Sequence, residues 1–118
     1  MRIAFRVLTM TCLLGVIAAR PAVAGSTQDA AAVEKGKAVY AAQKCSMCHG
    51  IAGVGSKANP LDGVGKKLTA AEIRAWIVTP KEMEKKTNST KKPPMPDRYS
   101  KLPAADLDAL VAYMASLK

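Results

Sequence analysis

Cys45-Ser46-Met47-Cys48-His49 puts two thiols and the chain's only histidine within five positions. A thiol adds to a vinyl group to form a thioether, and an imidazole donates a lone pair to iron. C-x-x-C-H is the attachment sequence for c-type haem. Two residues between the cysteines match the separation of the two vinyl groups along one porphyrin edge. The next residue is then carried over the ring, where its imidazole reaches the iron. Cys45 and Cys48 are therefore the expected thioether positions of one covalent haem c, and His49 an expected axial ligand. Ser46 and Met47 are spacers.

Rival chemistries fit less well. A structural zinc site usually takes four Cys or His ligands, and five consecutive residues cannot surround a tetrahedral ion. A thioredoxin-like pair would sit beside a βαβ pattern, which the sequence lacks. A bridge between Cys45 and Cys48 would close a tiny loop and staple nothing distant.

With one histidine, the second axial position falls to methionine, water or nothing. Met47 lies inside the attachment turn. Met114 belongs to an apolar helical stripe and reads as core. Met83 has charged neighbours on both sides and suits a solvated loop. Met95 is flanked by Pro93, Pro94 and Pro96. Prolines fix φ, so a weak thioether ligand there is held with little loss of entropy. Met95 is the favoured sixth ligand.

The elements that must hold this site come from a short chain. Of its 118 residues, the first 24 read as a secretory signal peptide. Arg2 and Arg6 precede an apolar run from Val7 to Ala19, and Ala22-Val23-Ala24 offers a cleavage site. That run is too short to span a membrane, which takes about 20 residues. The expectation is export to the periplasm, with no stable membrane insertion after cleavage and a domain over 25–118. A domain of this size is marginal on its own apolar core and needs a staple or a cofactor. The charge is +9; without Arg2, Arg6 and Arg20 it falls by three to +6. That balance favours acidic-surfaced partners. Tyr40, Trp76, Tyr99 and Tyr113 are too scattered for a base-stacking platform, which argues against nucleic acid.

An alanine-rich helix is expected over 29–43, with Gly36 suggesting a close approach by another element. Residues 50–65 read as a glycine-rich loop. Thr69 and Glu72 form a capping box ahead of a second helix, which Pro80 is expected to stop. Residues 81–101 read as one long basic loop. A third helix over 102–118 carries Leu107, Leu110, Val111, Met114 and Leu117 on one stripe. No strand pattern is visible. The fold class is all-α: three main helices and irregular loops wrapped around a haem.

Over essentially all of 25–118 the sequence resembles the bacterial class I monohaem cytochromes c. The matching stretches are CSMCH at 45–49, NPLDG at 59–63, WIVTP at 76–80, PPMPD at 93–97 and LVAYMASL at 110–117. The resemblance implies the cytochrome c fold and Met95 as sixth ligand. It implies that the first helix crosses the last near Gly36 and Tyr40 on one side and Leu110 and Tyr113 on the other. It also implies that the Pro60 carbonyl accepts a hydrogen bond from the His49 ring. Pro103 departs from the family, standing where many relatives carry a Ser or Thr cap.

With both axial positions filled, substrate has no easy path to the iron. The expected role is one-electron transfer between acidic redox proteins, by a monomeric carrier and not an enzyme. A cytochrome subunit of a periplasmic dehydrogenase or oxidase complex is the alternative. Lys81, Lys85, Lys86, Lys91 and Lys92, on the way to Met95, are expected to form a positive collar that steers partners.

Overall fold

The computed structural model describes residues 25–118. The expected signal peptide lies outside the described residues. Helix α1 spans Gly25–Ala42, longer at its N-terminal end than the alanine-rich pattern predicts. It stops at Lys44, which adopts the left-handed conformation with φ of 54°. A one-turn 3₁₀ helix, Cys45–Met47, follows at once.

A small hairpin comes next, with β1 at Gly50–Ile51 and β2 at Val54–Gly55. Its register pairs Gly50 with Gly55 and Ile51 with Val54. Ala52 and Gly53 make the turn with φ of 50° and 78°, the sign a two-residue hairpin turn requires at both central positions. These strands are too short to show an alternating pattern, which is why the sequence reads as loop. Helix α2, Val64–Lys67, is a single turn.

Helix α3 spans Ala70–Val78, and the capping box at its start is complete. The Glu72 amide donates to Thr69 Oγ1 at 3.2 Å, and the Thr69 amide donates to Glu72 Oε2 at 2.8 Å. Helix α3 ends just ahead of Pro80, as expected, but a new helix starts there. Thr79 closes α3 and is also the N-cap of helix α4, Pro80–Thr87. Proline suits the first helical position, where its missing N–H is not needed. Glu82 in the first turn and Lys85 and Lys86 in the last complement the helix dipole, and Asn88 closes the helix at φ of 50°.

The expected 81–101 loop is thus a helix, an irregular stretch and a 3₁₀ turn at Asp97–Lys101. Helix α5 spans Ala104–Ser116. Pro103 is its N-cap and offers no side-chain cap, but its carbonyl accepts from the Asp106 and Leu107 amides at 2.9 and 3.0 Å. Among the described residues, no helix is long and apolar enough to cross a membrane.

Helix α1 lies across α5. At Gly36 a Cβ would collide with the Ala109 carbonyl and the Tyr113 Cβ. Tyr40 and Tyr113 meet edge to face beside it, with ring centroids 5.9 Å apart at 83°, a favoured aromatic geometry. Salt bridges brace α5 from both flanks, Lys35–Asp106 at 2.9 Å and Arg74–Asp108. The core joins Val39, Ile73, Ile77, Tyr99, Leu107, Leu110, Val111 and Met114.

Gly36→Ala is expected to destabilise the protein by about 1–3 kcal/mol, the usual range for overpacking. In an open helix the same change would stabilise by about 1 kcal/mol. The sign of the shift in the urea midpoint checks the close crossing. Separately, hydrogen bonds from the Thr69 amide and then its hydroxyl hold the Glu72 carboxyl below its ordinary range. The stabilisation is full above the unfolded value near pH 4.3 and is lost as pH falls through the lower folded value. Glu72→Gln is expected to flatten the stability curve in that acid window, measured by thermal unfolding across pH.

Candidate functional site

The C-x-x-C-H segment is a tight turn built on the end of α1. Met47 and Cys48 amides donate to the carbonyls of Lys44 and Cys45, each at 3.1 Å, and the His49 amide donates to Cys45 O at 2.9 Å. The backbone therefore curls so that both cysteines and the histidine can face one space. Cys45 and Cys48 are not joined to each other. Burial pushes the Cys45 thiol up from its ordinary range.

His49 is held at both its main chain and its ring. Its carbonyl accepts from the Tyr40 hydroxyl at 3.2 Å and from the Ser56 amide at 3.2 Å. Its ring Nδ1 lies 3.0 Å from the Asn59 carbonyl. A carbonyl can only accept, so Nδ1 carries the proton and donates. Nε2 is left with its lone pair, the form that ligates metals. Such an outer hydrogen bond orients the imidazole and raises its basicity.

This partner is Asn59, not Pro60 as expected. Gly50 sits in a parallel bridge with Pro60. Its amide donates to Asn59 O at 3.4 Å, and its carbonyl accepts from Leu61 N at 2.8 Å. The Asn59 carbonyl therefore meets both the Gly50 amide and the His49 ring. The acceptor is a backbone oxygen, so no side-chain signal in NPLDG could have chosen between neighbours.

Cys45, Cys48, His49, Pro60 and Met95 all line one cavity of about 440 Å³. Its walls are apolar: Leu68, Ile73, Trp76 and Ile77 from the α3 side, Leu110 and Met114 from α5. Pro93, Pro94 and Pro96 flank Met95 on the wall as expected, and Met95 is half-buried. Met83 is the correction among the methionines. It is buried on α4, with 7% of its surface exposed, and is not among the cavity-lining side chains. Charged neighbours in sequence misplace it because α4 turns them outward. Met114 is core, as expected, and also forms wall.

The cavity rim carries Lys44, Lys91, Glu84 and Arg98. Arg98 donates to the Tyr99 hydroxyl at 2.8 Å and lies 4.9 Å from the ring centroid. Of the expected lysine collar, Lys81 bonds Asp97 at 3.2 Å, and that bond holds the Asp97 carboxyl below its ordinary range.

Two thiols, an imidazole with Nε2 available and a thioether on one apolar cavity are a donor set that fits an iron porphyrin. Pockets of about 300–1,000 Å³ with apolar walls and a few placed polar groups are typical cofactor sites.

No curated protein and no solved structure matches this chain. The family model for cytochrome c matches residues 33–118, from the middle of α1 to the last residue. The chain therefore belongs to the cytochrome c family, which holds an iron-bearing haem c covalently and uses it to transfer electrons.

Proposed function

We propose that this protein is a periplasmic, monohaem, one-electron carrier of the bacterial class I type. Cys45 and Cys48 form the thioethers, and His49 and Met95 are the axial ligands. The observation that carries this reading is the convergence of all four side chains on one apolar cavity. A single C-x-x-C-H in the chain supports one haem, and the N-terminal pattern of basic, apolar and small residues supports export.

The haem supplies the redox chemistry, cycling between ferrous and ferric iron. The protein's residues hold it still and keep water away. The Asn59 carbonyl orients the His49 ring. The proline-bracketed Met95 offers a soft sulfur, which favours the reduced state and raises the potential relative to a second histidine. Ile73, Ile77 and Leu110, all buried, keep the surroundings apolar and close-packed, so little reorganises when one electron moves. This arrangement is that of a carrier and not of a catalyst with an open iron.

Partners are acidic redox proteins. Lys85, Lys86, Lys91 and Lys92 are exposed on α4 and the segment after it, and Lys91 reaches the cavity rim. Lys81 contributes less than expected because Asp97 offsets its charge.

Met95→Ala is expected to abolish the far-red sulfur-to-iron charge-transfer band of the oxidised protein, lower the potential and open the reduced iron to carbon monoxide. Met83→Ala is expected to leave all three unchanged. A band that survives Met95→Ala, or carbon monoxide binding by the unaltered reduced protein, overturns the closed His/Met site. A second prediction concerns docking. The bimolecular rate with an acidic redox partner is expected to fall about tenfold or more from low to high salt. Lys85→Ala and Lys86→Ala are expected to slow it more than Lys81→Ala. Stopped-flow kinetics across ionic strength decide this, and a flat profile rules steering out.

A further inference from the structure

Tyr40 stands apart from the other residues around the site. It sits on α1, one helical turn after Gly36, and its ring is fixed edge to face against Tyr113 of α5. Its hydroxyl leaves that aromatic pair and donates to the His49 carbonyl at 3.2 Å. Among the described residues it makes the only side-chain hydrogen bond from α1 to the stretch 45–59.

We propose that Tyr40 is a positioning residue for the axial histidine, coupling the α1–α5 crossing to the pose of the His49 main chain. The proposal rests on the part of the functional reading that assigns His49 to the iron. Its logic is a chain of contacts. Gly36 sets how closely α1 approaches α5. That approach sets where the Tyr40 ring lies against Tyr113. The ring sets where the hydroxyl meets the His49 carbonyl.

The carbonyl has two lone pairs, and the Ser56 amide, shared with the Ser46 carbonyl at 3.0 Å, takes the other at 3.2 Å. His49 is thus clamped between a helix on one side and the hairpin exit on the other. Its ring, fixed to Asn59 at 3.0 Å, has its main-chain base fixed as well. At 3.2 Å the hydroxyl bond is long for an O–H donor. Its expected effect is on ligand orientation more than on global stability.

Tyr40→Phe removes the hydroxyl and keeps the ring. Tyr113→Phe removes a hydroxyl from the same aromatic pair that does not bond His49, and is the control. The experiment compares the haem-loaded proteins by paramagnetic NMR of the His49 ring protons in the oxidised form. It also compares reduction potential and amide exchange at Ser56. In Tyr40→Phe the His49 ring shifts are expected to move, the potential to change and Ser56 to exchange faster, with its bond to Ser46 retained. Tyr113→Phe is expected to match the unaltered protein in all three.

Iron-shifted His49 signals that are identical in Tyr40→Phe and the unaltered protein overturn this proposal alone. His49 signals with no iron shift in the unaltered protein overturn the ligand assignment, and this proposal with it. Should Tyr40→Phe fail to take up haem, the unaltered protein still decides. A Tyr40 hydroxyl proton protected from solvent exchange supports the coupling, and one exchanging at the bulk rate overturns it.

Discussion

The close approach of Gly36 of α1 to Ala109 and Tyr113 of α5 fixes how the two long helices cross. Neither helix could be moved without disturbing what each carries at its far end. Helix α1 runs straight into the C-x-x-C-H turn. Helix α5 presents Leu110 and Met114 to the cavity wall. A single missing side chain thus sets the distance between the attachment turn and the opposite wall. A Cβ at Gly36 meets backbone as well as side chain, so rotamer change cannot relieve the contact. The helix-propensity penalty of glycine, about 1 kcal/mol, is the smaller of the two competing terms.

The attachment turn is rigid for reasons its own sequence does not contain. C-x-x-C-H specifies which atoms react and says little about what holds them. The hold comes from four directions: backbone bonds within 44–49, the Ser56 amide returning from the hairpin, the Asn59 carbonyl under the His49 ring, and the Tyr40 hydroxyl from α1. The hairpin matters because it turns the chain back beside the histidine. Its left-handed turn at Ala52-Gly53 is tied by the Ala52 amide to Asp62 at 2.8 Å. A stretch that reads as glycine-rich loop is therefore a frame for the imidazole.

Much of this is legible before any coordinate. The motif, the capping box at Thr69 and Glu72, the apolar stripe of α5 and the glycine at the helix crossing each follow from a local rule. What the sequence hides has physical causes. Helix α4 has Met83 as its main apolar side chain, too little for a periodic signal. Its evidence is in its ends, Pro80 and Asn88, and proline reads more readily as a stop than as a start. Met83 then appears solvated although it is buried. The histidine's partner is a main-chain oxygen, so its identity depends on a register that side chains do not encode. A shift of one residue separates Pro60 from Asn59.

The core and the site share their residues. Ile73, Ile77, Tyr99, Leu110 and Met114 belong to the central cluster and also line the cavity. In a larger protein a cofactor pocket can be cut into a core that would persist without it. A chain of this length buries too little apolar surface for that separation. A ligand that binds the folded form adds to its stability by mass action, and one tied covalently to the chain cannot be diluted away. Residues that tune the iron therefore also stabilise the fold. A substitution on this wall acts on potential and stability together.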